Sequence, residues 1–387
     1  SIINSYISDF NQDALYYNAN NVNNFILGST FSGSNQGIYV VNGGSIIVDN
    51  CQIENNSNGI KTDSDTHIEI SNSNIVSNSH YGIELGSSNT YLINDCEFTS
   101  NGGTGFYARS WDWHGPRGIY NSIFYFNGYR AVEGPSSNEG PELYNCKIQN
   151  NNSGVTNVNK VENCIITNTD NGYGINSAQF INNSTIANNN GGVFSGTVKN
   201  SIIFFNTEDQ INNVSNITYS NIQGGADGEG NINENPAFLD YYDFELHESS
   251  PCIDAGNPDP EFYDLCYPPS QGTSINDMGA YGGSGACNWI DNPEGGIIVT
   301  PAFLDFETII QDQQSTLPIT LTAFLDNQKQ YSLSITETIV DDSISTNSFN
   351  ISDSLITINS DDTLLIDIVF NPSVPGLHTA LLQIEEI

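Results

Sequence analysis

The chain has 387 residues, of which 45 are acidic and 8 basic, for a formal net charge of -37. So few basic side chains leave a phosphate backbone without counter-charges, which excludes nucleic acid; an acidic polysaccharide would need a bridging cation such as Ca²⁺. No apolar run approaches the roughly 18 residues of a membrane-spanning helix, and with only 14% charged residues and many β-branched ones, strands and tight turns are expected, not helices or disorder.

The length predicts two or more domains. The first residues, Ser1-Ile2-Ile3-Asn4-Ser5, already belong to a repeat, so the chain reads as mature or excised material from a longer protein. A phrase Asn-Cys/Ser-x-Ile/Phe, with Asn three residues later, recurs along the first 245 residues. It appears as Asn50-Cys51-Gln52-Ile53 with Asn56, Asn72-Ser73-Asn74-Ile75 with Asn78, and Asp95-Cys96-Glu97-Phe98 with Asn101. Its apolar anchors are Ile7, Phe31, Ile53, Ile75, Phe98, Phe124, Ile148, Ile166, Ile186, Ile203 and Ile222, spaced 17 to 26 residues apart. A Gly-aliphatic step (Gly37-Ile38, Gly59-Ile60, Gly82-Ile83, Gly105-Phe106) and a strand leading into the next phrase (Ile46-Ile47-Val48, Ile68-Glu69-Ile70) complete each unit. Three strands per turn of about 22 residues is the arithmetic of a parallel β-helix. Equivalent side chains should then stack about 4.8 Å apart. The series from Asn56 to Asn206 reads as an asparagine ladder at an αL-tolerant turn. Thr169 interrupts it, and coils shorten after residue 148, which puts the loop-bearing face in the first half.

Over residues 1–245 these phrases resemble the bacterial right-handed β-helix repeat proteins, the broad superfamily that includes pectate lyases and many surface proteins. The resemblance implies architecture, not chemistry. Residues 246–287 then read as a C-terminal cap. Asn235-Pro236-Ala237-Phe238, Ser250-Pro251-Cys252-Ile253-Asp254-Ala255-Gly256 and Asp277-Met278-Gly279-Ala280-Tyr281-Gly282 resemble the cap phrases of secreted β-helix proteins, and a solenoid end needs a cover for its strand edges. Residues 288–296 read as a linker. Residues 297–387 carry longer alternating strands, expected to form an immunoglobulin-like β-sandwich. The phrases Leu304-Asp305-Phe306 and Val369-Phe370-Asn371-Pro372 resemble the Hydin-like Ig family, although Glu307 stands where that family often has Gly. The expected fold class is thus all-β: a right-handed parallel β-helix with a C-terminal cap, followed by an immunoglobulin-like β-sandwich.

Candidate chemistry gathers in the long coil between the anchors Phe98 and Ile148. It holds all three arginines and two of the three tryptophans. Tyr107, Trp111, Trp113, His114 and Tyr129 are the candidate ligand-binding residues, because aromatic faces beside planar donors suit sugars. The alternative is a loop that packs its own aromatics over the solenoid. Catalytic candidates are Arg109, Asp112, Arg117, Arg130 and Glu133: a lyase needs a base and a cation, and a hydrolase needs two facing carboxylates. Polygalacturonase, pectate-lyase and alginate-lyase signatures are absent. In the cap, Asp254, Asp264 and Asp277 are candidate Ca²⁺ ligands among turns rich in carbonyls, the alternative being solvated turn acids. Cys51, Cys96, Cys146 and Cys164 share one position of the phrase and read as an internal stack of small thiols, while Cys266 and Cys287 can pair in an oxidising compartment.

The function expected from these residues is a secreted or cell-surface module that binds a polysaccharide or glycan, in the manner of an adhesin. The second domain would act as a spacer toward further domains or a surface anchor. A polysaccharide lyase or glycoside hydrolase with its cleft around residues 107–133, and a structural stalk or filament subunit, are the alternatives.

Overall fold

A computed structural model describes residues 1–18, 23–109, 115, 117–135, 140–266, 268–289, 296–300, 306, 313–324, 329–338, 348–359, 362–373 and 379–386. The chain divides into two compact units, Ser1–Trp289 and Ile290–Ile387.

The first unit is a parallel β-solenoid built on three columns of strands. The first column is an eleven-stranded sheet of two- and three-residue strands, running from Tyr6–Ser8 through Gln52–Glu54, Asn74–Val76 and Glu97–Thr99 to Asn221–Ile222. The second column holds Gln36–Val41, Asn58–Thr62, Ile83–Leu85, Phe106–Ala108 and Arg130–Glu133. The third holds Ser45–Asp49, His67–Ser71, Thr90–Asn94, Arg117–Tyr120 and Glu142–Tyr144. After residue 150 the second and third columns fuse into single long strands, Ser153–Glu162, Tyr173–Asn182, Gly191–Lys199 and Ile211–Thr218. Each is bent at one left-handed residue, Asn157, Ser177, Ser195 or Asn213. A bend replaces a multi-residue turn, which is why the later coils are shorter and the loops lie in the first half.

Alternation along each three-residue strand sends its middle residue inward. All eleven anchors therefore fall in one column and in register: Ile7 on Phe31, Phe31 on Ile53, Ile53 on Ile75, Ile75 on Phe98, Phe98 on Phe124, and so on to Ile203 on Ile222. From Phe31 to Ile222 these side chains are fully buried. Each such burial contributes roughly 1.5–3 kcal/mol.

Beside the apolar column run two polar ladders. In one, Asn78, Asn101 and Asn127 each donate Nδ2 to Oδ1 of the next asparagine, at 3.0, 3.0 and 2.9 Å, and to a carbonyl one coil back, as from Asn101 to Ile75 at 2.9 Å. The ladder asparagines are not the αL residues. The left-handed turn falls on the residue before each, at Asn55, Ser77, Ser100, Phe126, Asn150, Asn168, Asn188 and Phe205. Turn and ladder are separate tasks because the ladder amide must face inward, while αL only has to reverse the chain. The glycine of the Gly-aliphatic step follows from the same crowding: a Cβ at Gly59 would lie 2.5 Å from the Gly82 carbonyl and 2.9 Å from Nδ2 of Asn78. In the second ladder the cysteines do not form a stack of their own. They share the file with serines, only Cys146 and Cys164 being neighbours in it, and each main-chain N–H donates to the side chain one coil on, as from Cys51 to Ser73 (3.0 Å), Cys146 to Cys164 (3.5 Å) and Cys164 to Ser184 (3.2 Å).

The segment after Asn235 departs from the expected end cap. The open end is closed by residues before it, where Ile232 pairs with Asn221 and donates to the Ser220 carbonyl at 3.0 Å. Residues 236–289 instead run back as a strap along the outer face of the first column. Phe244, Ala280 and Tyr281 cover Ile165 and Ala187, and Leu246, Cys252 and Met278 cover Ile202 and Phe204. The asparagines that open each phrase bind the strap: Asn145 donates to the Gly285 carbonyl at 2.9 Å, Asn163 to Gly282 at 2.7 Å and Asn183 to Asp277 at 3.0 Å. Ile165, Ala187, Ile202 and Phe204, outward on these coils, are the apolar residues the strap covers. Cys266 and Cys287 form a disulfide across the strap. Asn288 and Trp289, placed in the linker by sequence, pack within this unit, with Trp289 Nε1 donating to the Ala280 carbonyl at 2.8 Å.

The second unit contains two antiparallel sheets. One joins Gly296–Thr300, Ser315–Phe324, Thr363–Phe370 and Phe349–Ile351; the other joins Leu355–Ile358, Lys329–Thr338 and Thr379–Glu386. Ile319, Leu321 and Ile366 of the first share a core with Tyr331, Leu333 and Ile356 of the second. The strand expected over 301–306 lies, apart from Phe306, outside the described residues.

Candidate functional site

On the second column every inward aliphatic is followed by an outward residue, and the register stacks these along the solenoid. Tyr16 aligns with Tyr39, Tyr39 with Lys61, Lys61 with Glu84, Glu84 with Tyr107, and Tyr107 with Glu133. The turns between second and third columns rise beside this file and enclose an open groove of about 690 Å³, lined among others by Tyr39, Asn42, Lys61, Asp63, Glu84 and Arg109.

Glu84 is the centre of the groove. It is only 7% exposed and takes Arg109 on one oxygen at 2.8 Å and Lys61 on the other at 3.2 Å. The Arg109 guanidinium also lies 5.3 Å from the centre of the Tyr107 ring, which stacks on Tyr81 at 5.4 Å. Toward the other end, Tyr39 donates to Asp63 at 2.8 Å and meets Tyr16 edge-on at 5.6 Å. Burial, and then the Asp63 carboxylate, push the Tyr39 phenol up to about 12, so it stays a donor. One coil beyond Tyr107, Arg130 pairs with Glu133 at 2.5 Å and lies 4.5 Å over the Tyr129 ring.

The structure thus brings Tyr107, Arg109, Tyr129, Arg130 and Glu133 to one face. Arg117 lies elsewhere, in the third column in register with Tyr91. Trp111, Asp112, Trp113 and His114 lie outside the described residues. Lys61, Glu84, Tyr39 and Asp63 in the groove, and Tyr81 stacked on Tyr107, are the residues that reading the long coil alone does not reach. A signal for three of them is present: Tyr39, Lys61 and Glu84 each directly follow the aliphatic of a Gly-aliphatic step.

In the strap, Asp254, Asp264 and Asp277 are linked head to tail. Asp264 accepts the N–H of Asp277 at 3.0 Å and that of Gly283; Asp277 accepts from Asp254 at 2.8 Å and Gln271 at 2.7 Å; Asp254 accepts from Thr273 at 2.8 Å. Burial, and then the neighbouring Asp277 charge, raise Asp264 to about 7, and burial raises Asp277 to about 6. Main-chain N–H groups thus occupy both oxygens of Asp264 and Asp277 and one oxygen of Asp254. Among the described residues no cluster of three or more His, Cys, Asp or Glu is arranged to hold a metal. No helix there is long and apolar enough to cross a membrane.

No curated protein matches the chain. Among solved structures it is similar to the crystal structure of pectate lyase Pel9A, at 14% identity over 69% of this chain and 73% of that chain, with a TM-score of 0.35. Residues 1–114 match the family model for a right handed beta helix region. That match covers residues 1–114, and the parallel strand register continues the same solenoid to Asn221–Ile222.

Proposed function

We propose that the chain is an extracellular or cell-surface module that binds a polysaccharide or glycan in the groove of the second column without turning it over. The second unit, taken as an immunoglobulin-like spacer of the Hydin-like kind, would carry it toward further domains or a surface anchor. The observation that carries this reading is the file of Tyr39, Lys61 and Glu84 along one groove, with Arg109 in its lining and Tyr107 next in the file beyond Glu84. Polar groups from successive coils line it together with the Tyr39 ring, and the Tyr107 ring packs against Arg109 beside it, which suits an extended chain of sugars. Binding without turnover is favoured because Lys61 and Arg109, the cations lining the groove, are both paired with Glu84, and neither stands as a free base beside an open position.

The test is a glycan array with affinity electrophoresis, run beside assays for reducing ends and unsaturated products. Retention without products is expected, and Tyr107→Ala should weaken it by about tenfold, the loss of one stacking contact. Product formation by the wild-type protein would replace this reading with a lyase or hydrolase. Absence of binding and turnover together with self-association would replace it with a structural stalk.

A further inference from the structure

The charges of the groove narrow the ligand class. Among the described residues, five ionisable side chains other than tyrosine line it: Lys61 and Arg109 against Asp63, Asp65 and Glu84. The lining is therefore net negative by one, two cations less three anions, in a chain already at -37. Both cations are engaged by Glu84, at 3.2 and 2.8 Å. Asp13 adds a further negative charge close enough to Lys61 to interact with it.

Resting on the glycan-binding reading, we infer that the groove selects uncharged glycans, and that Glu84 is the residue that rejects polyuronates. A uronate brings a carboxylate on every sugar. To reach Lys61 or Arg109 it must displace Glu84, which is too buried to turn to water and would be left as an unpaired buried anion. Elsewhere in the groove it meets Asp63 and Asp65. An uncharged sugar has neither problem. Its hydroxyls donate to Asp63 and Asp65, and accept from the N–H groups that Lys61 and Arg109 keep beyond those used on Glu84. Glu84 thus acts as an internal counter-ion that fills the anion site.

Affinity electrophoresis of the full chain in xylan, mixed-linkage β-glucan or mannan, and separately in polygalacturonate or alginate, tests this directly. Wild type should be retarded by at least one neutral polymer and by neither polyuronate. Glu84→Gln, checked for an unchanged circular dichroism spectrum, should gain retardation in a polyuronate by about tenfold or more, and lose that gain at high salt as screening predicts. Wild type binding a polyuronate as tightly as any neutral polymer overturns the inference while leaving the groove a glycan site. A folded Glu84→Gln with no gain on polyuronates also overturns it. Retardation of neither protein by any polymer fails the glycan reading itself. The wild-type preference is measurable even if the variant does not fold.

Discussion

Thr169 occupies a buried position that the ladder elsewhere gives to asparagine. Asn151, with no amide to meet in the next coil, donates Nδ2 to the Gln149 carbonyl at 3.0 Å, and the Thr169 hydroxyl is buried with no hydrogen-bond partner. Thr169→Asn should close the gap and raise stability by about 1 kcal/mol, the net value of one buried amide hydrogen bond. The midpoint of urea denaturation measures it. A fall in the midpoint would mean that the shortened coil has no room for the longer side chain. Single residues also show the limit of legibility. Ile53, Ile75 and Phe98 are chemically alike and announce their column by repetition. Lys61, Glu84 and Tyr107 share no chemistry, so nothing in their identities marks them as vertical neighbours until register is known.

At the scale of elements, the strap lies along a side of the solenoid where its sequence predicts a cover for the end. Its phrases are recognisable, but whether such a segment covers an end or a side depends on which outer-face residues are apolar. That is visible only once Ile165 and Ala187 are seen flanking the inward Ile166 and Ile186 columns. The strap also carries a pH dependence. Asp264 and Asp277 have folded-state values of about 7 and about 6 against an ordinary 3.8, so folding favours their protonated forms. Their stabilising contribution is complete below the ordinary value and is lost as pH rises through about 6 to 7. The thermal midpoint of the first unit should fall between about pH 5 and pH 8, and Asp264→Asn should flatten that slope. An unchanged slope would mean that other acids set it.

At the scale of the whole molecule, 45 acidic side chains against 8 basic ones oppose compaction. Raising ionic strength from about 0.01 M to 1 M shrinks the screening length from roughly 30 Å to 3 Å. The thermal midpoint should rise by at least about 2 °C, the shift produced by roughly 1 kcal/mol in a unit of this size. Sodium chloride titration by differential scanning calorimetry reads this directly. A flat response would mean that the interior ladders and columns, which salt does not touch, outweigh surface repulsion.

Sequence alone determined the solenoid, because an interior repeated every coil forces the same residue classes to recur: apolar at Ile53 and Ile75, amide at Asn78 and Asn101, small at Cys96 and Ser122. It also pointed to the face around Tyr107, Arg109 and Arg130. Only the tertiary structure decided what that face contains and where the strap lies. Groove residues come from four successive coils, so their association is a matter of winding more than of neighbouring positions in the chain. The physical reason is that parallel register converts a sequence separation of 22 or 23 residues, as from Tyr39 to Lys61 and from Lys61 to Glu84, into one strand spacing.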